Sequence, residues 1–105
     1  MIQIVWDMDN YSVTIEGHAG SGEAGHDLVC AGVSTLAYTL AQRIGGLPEC
    51  MSSRAILDPG YAEISCKPIP GREDVVQDAF GTICTGFEML ASDYPEYVTF
   101  DVVEG

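Results

Sequence analysis

Apolar residues in this chain switch between two spacings, and the switches mark out its elements. Residues 2–7 and 11–17 alternate apolar and polar positions in the manner of half-buried strands, with Asp9-Asn10 as the turn between them. The spacing then becomes helical. Val29, Val33, Leu36, Leu40 and Ile44 recur on one face, and Gly45-Gly46 followed by Pro48 ends that helix. Residues 54–57 and 61–67 read as strands again, on either side of Asp58-Pro59-Gly60, a strong turn signal. Val76, Phe80, Ile83, Phe87 and Leu90 mark a second helix between Arg72 and Ser92, closed by Pro95. Tyr97 to Val103, rich in β-branched and aromatic residues, is a last strand. The order β-β-α-β-β-α-β predicts an α+β fold, two helices packed on one mainly antiparallel sheet.

A length of 105 residues suits a single domain, 1–105, and 47% hydrophobic composition is that of a globular chain. No apolar run approaches the roughly 20 residues that span a bilayer. The opening Met1-Ile2-Gln3-Ile4-Val5-Trp6-Asp7 lacks the basic start of a signal peptide and reads as a strand, so a cytoplasmic chain is expected, with no membrane partner. Cys30, Cys50, Cys66 and Cys84 show no C-x-x-C spacing, and neither histidine extends a zinc pattern; they read as reduced thiols. Four Lys+Arg against sixteen Asp+Glu give a net charge of −12, which argues against direct nucleic-acid binding. Such a charge either solubilises the surface or steers a basic partner toward it. The remaining sides of the first helix are only weakly polar (Ala31, Gly32, Thr35, Tyr38, Thr39), as expected of a helix buried a second time at a subunit interface.

The chemistry gathers around one cysteine. Four glycines fall in the nine residues from Gly17 to Gly25, an unusual backbone placed before the first helix. Asp27 can cap that helix, which puts Cys30 in its first turn, where open N–H groups and the helix dipole favour a thiolate. The same N–H groups suit an oxyanion, and His18 is the leading proton acceptor and donor. A helical cysteine is more often simply packed, and Asp27 can equally orient a histidine or be only a cap. Residues 20–25 also fit G-x-G-x-x-G, the dinucleotide fingerprint, through Gly20, Gly22 and Gly25. Glu23 and Asp27 oppose a pyrophosphate there, a hairpin precedes it instead of a parallel unit, and no G-K-[ST] follows.

Ile15-Glu16-Gly17-His18-Ala19 together with Asp27-Leu28-Val29-Cys30-Ala31-Gly32-Val33-Ser34 resembles the ribosomal-processing cysteine protease (Prp) family of Firmicutes and related bacteria. The resemblance extends by length and element order over the whole chain. It implies Cys30 as nucleophile, His18 as general base, and Asp27 and Ser34 as supporting residues; in the peptide hydrolysis this suggests, the glycine loop, 19–25, moves aside to admit an extended peptide and closes over it. It further implies a homodimer, no metal or organic cofactor, and removal of a short N-terminal extension from a basic large-subunit ribosomal protein, to which −12 is complementary. The rival readings are a non-catalytic acidic module that binds such a protein, and a nucleotide-binding protein. Two positions depart from the family. His26 stands where relatives often carry lysine and, if helical, is an i, i+4 neighbour of Cys30. Gly32 often corresponds to alanine and weakens the helix by ~1 kcal/mol unless close packing requires it.

Overall fold

A computed structural model describes residues 1–18 and 26–104, with His26 described by its backbone alone. The chain runs β1 (Ile2–Asp7), β2 (Ser12–Gly17), α1 (His26–Gly45), β3 (Cys50–Asp58), β4 (Tyr61–Pro68), α2 (Glu73–Asp93) and β5 (Val98–Val103). The strands form one sheet in the order β3-β4-β2-β1-β5, antiparallel throughout except where β5 lies parallel to β1. The expected α+β architecture is therefore present. β2 and β3, which flank α1, are not neighbours in the sheet, so the segment containing Gly20, Gly22 and Gly25 lacks the parallel βαβ setting of a dinucleotide site.

Alternation decides which face of the sheet is covered. Ile2 and Ile4 of β1, Val13 and Ile15 of β2, and Ala62, Ile64 and Cys66 of β4 are all buried. The register brings Ile4 opposite Ile15, and Val13 opposite Ile64, so these side chains form one apolar layer. α1 lays Val29, Val33, Ala37, Leu40 and Ile44 in the same core, and α2 adds Val76, Ala79, Phe80, Cys84 and Phe87. Each large side chain so buried contributes about 1.5–3 kcal/mol. The helices approach closely where they carry glycine. A Cβ on Gly32 would stand 3.3 Å from the Leu90 methyls, and one on Gly86 would stand 2.9 Å from a Leu36 methyl. Gly32 is thus a close-packing position.

Two boundaries differ from expectation. β3 starts at Cys50 instead of 54, because pairing with β4 sustains it as an edge strand through a register shift between Cys50 and Ser52. After half-buried Cys50, the residues from Met51 to Ala55 are exposed and show no alternation. α1 starts at His26, so Asp27 lies inside the first turn instead of ahead of it. The weakly polar side of α1 is open in the single chain, with Leu28 63% and Tyr38 57% exposed. Among the described residues, no helix is long and apolar enough to cross a membrane.

Candidate active site

β2 ends, α1 begins and β3 turns into β4 at the same end of the sheet, because Glu16 of β2 pairs with Tyr61 of β4. Gly17 turns the chain out of β2 with φ +104° and donates its N–H to the Gly60 carbonyl at 2.9 Å. His18 follows, and its carbonyl accepts a hydrogen bond from the Met1 nitrogen at 2.6 Å. Its imidazole lies against Gly60, at the β3–β4 turn.

Between these parts is a cleft of about 350 Å³. Cys30, Val33, Ser34, Ala37 and Tyr38 line it from α1, at the helical spacing that places them on one face. Buried Ile2, Ile15 and Ala62 give it an apolar floor. His18, Asp58 and Gly60 line it from the strand ends, with Tyr61 beside them. The Tyr61 hydroxyl donates to Glu63 Oε2 at 2.7 Å, and that hydrogen bond to a carboxylate holds the phenol above its usual range.

Of the residues singled out from sequence, Cys30, His18 and Ser34 share this cleft. Asp27 is exposed and is not among its described lining residues. Gly20, Gly22 and Gly25 lie outside the described residues. His26 is the first residue of α1, one turn before Cys30. Cys30 itself is half-buried in the second turn, not the first, so its own amide belongs to the helical hydrogen-bond ladder. The amides that lack an intrahelical acceptor lie in the turn before it. Sequence reasoning missed the contribution of Asp58, Gly60 and Tyr61: the turn was legible, but its pairing with β2 was not.

Two other thiols, Cys66 and Cys84, are poor nucleophiles. Burial pushes Cys84 up to about 12. Burial, then a hydrogen bond with Cys50, pushes Cys66 up to about 12. Among the described residues no cluster of His, Cys, Asp and Glu is arranged to hold a metal.

The family model for Cysteine protease Prp matches residues 1–99. The chain belongs to the Prp family of cysteine proteases. Ribosomal processing cysteine protease Prp of Staphylococcus aureus is 28% identical over 86 residues, which cover 82% of this chain and 80% of the relative. SMU.848 of Streptococcus mutans superposes with a TM-score of 0.74 at 35% identity, over 100% of this chain and 96% of that one. S. aureus Prp in complex with a substrate peptide shares the fold, with a TM-score of 0.74 at 24% identity over 97% of each chain. The present Prp-family member is therefore a cysteine peptidase, a hydrolase acting on peptide substrates.

Proposed function

We propose that this protein, as one protease domain over residues 1–105, removes a short N-terminal extension from a large-subunit ribosomal protein, using Cys30 as nucleophile and His18 as general base. The observation that carries the reading is the meeting of Cys30 and His18 in one cleft, together with the name of the S. aureus relative. His18 takes the Cys30 proton, and the sulfur attacks the scissile carbonyl carbon. The positive end of the α1 dipole, one turn before Cys30, favours the developing oxyanion. The imidazolium then protonates the leaving amine, which gives a thioester. His18 next deprotonates water, which attacks the thioester, and the Cys30 thiol is regenerated with the product acid.

Ser34, one turn beyond Cys30, offers a hydroxyl to the same cleft. Asp27 supports the start of α1, where negative charge complements the helix dipole. Gly20, Gly22 and Gly25 belong to the segment that admits the peptide. A basic ribosomal protein suits a chain of net charge −12. The uncovered Leu28 and Tyr38 side of α1 supports a homodimer, and a role in ribosomal processing is in keeping with a cytoplasmic enzyme.

Cleavage of an extended ribosomal-protein peptide, followed by mass spectrometry, tests the reading. Cys30→Ala is expected to abolish cleavage, and His18→Ala to slow it by ~10²–10⁴-fold. Undiminished cleavage by Cys30→Ala sinks the assignment. If His26→Ala is inactive while His18→Ala works, His26 is the base.

A further inference from the structure

We propose that Gly60 is a positioning residue for the His18 imidazole, a stop on the β3–β4 turn that fixes where the ring can stand. This rests on reading His18 as the general base. Gly60 has φ +77°, the left-handed region that glycine enters freely. The turn alone does not demand glycine, since asparagine also enters that region. What demands it is the neighbour. A Cβ on Gly60 would lie 2.6 Å from His18 Nε2 and 3.0 Å from Cε1, against a comfortable non-bonded separation of about 3.5–4.0 Å. The ring therefore occupies the space that any other residue would fill.

The contact is tied down from behind. The Gly60 carbonyl holds the Gly17 N–H at 2.9 Å, and Gly17 is joined directly to His18. Turn and histidine backbone are thus fixed to each other, so a side chain at 60 displaces the ring and cannot move the turn away instead. Nε2 and Cε1 are the ring atoms nearest the turn, which leaves the Nδ1 side directed away from it. Displacement by about an ångström is enough to cost ~10²-fold in rate where a reaction depends on alignment.

Gly71 provides the internal control. It too has positive φ, +90°, but a Cβ there would meet nothing within 4 Å. Gly60→Asn and Gly71→Asn therefore share the backbone strain, and only the first crowds the imidazole. Asparagine is chosen because its tolerance of this conformation keeps the chain folded. The readouts are thermal midpoint, kcat and KM for the extended peptide, and the pH profile of Cys30 alkylation by iodoacetamide. Gly60→Asn is expected to lower kcat by ~10²-fold at nearly constant KM and to displace the alkylation profile, with a thermal midpoint like that of Gly71→Asn. Gly71→Asn keeps the kcat and the profile of the parent. If Gly60→Asn also keeps both and loses only stability, the proposal is overturned and the glycine serves the turn alone. A failure of the His18 assignment is seen separately, as full activity of His18→Ala.

Discussion

At the scale of single residues, the burial of two thiols has a pH consequence. Cys66 and Cys84 are each raised from 9.0 to about 12, chiefly by burial, so the folded chain holds these protons more tightly than the unfolded one. Below pH 9 both states are protonated and stability is unaffected. Between about 9 and 12 the unfolded chain binds fewer protons, and stability falls as pH rises. Urea midpoints are expected to drop between pH 8 and pH 10, and Cys84→Ala is expected to flatten that slope whatever it does to the absolute level. A slope unchanged in Cys84→Ala would show that this thiol is not the source. Cys30 and His18 were legible at this scale because a local motif carries them. Gly60 was legible only as a turn residue, since its contact with His18 depends on the pairing of Glu16 with Tyr61, distant in the chain.

At the scale of elements, periodicity located both helices and the strands, and the exceptions share one physical reason. The start of β3 is held by hydrogen bonds to β4, with little burial of its own, so no apolar pattern announced Cys50-Met51-Ser52-Ser53. Asp27 reads as a cap by residue type, but the helix reaches back to His26, which moves Cys30 two positions inward, into the second turn. Helix contact also assigns opposite signs to similar substitutions. Gly86→Ala would set a Cβ 2.9 Å from a Leu36 methyl, and overpacking of this kind is expected to cost about 1–3 kcal/mol. Gly45→Ala meets nothing within 4 Å and is expected to gain up to about 1 kcal/mol of helix propensity. Chemical denaturation of the two variants checks this; a stabilised Gly86→Ala would mean that α1 and α2 are less tightly engaged there.

At the scale of the whole molecule, charge and topology matter more than any one contact. Sixteen acidic side chains against four basic ones create a long-range field that favours basic partners. For a lysine-rich ribosomal peptide, kcat/KM is therefore expected to fall by several-fold between about 0.05 and 0.5 M salt, as the screening length shrinks. A neutral peptide with the same cleavage site should show little change. Equal salt responses would reduce the charge to a solubilising role. The sheet order carries a different message, about time. β1 lies between β2 and β5, one its immediate successor and the other the last strand of the chain. Until β5 is in place, one edge of β1 has no strand to pair with in this sheet. Both helices and the β3–β4 hairpin precede β5 in chain order, so closing that edge waits on a segment distant in sequence, and until it arrives the edge can pair wrongly with a neighbour.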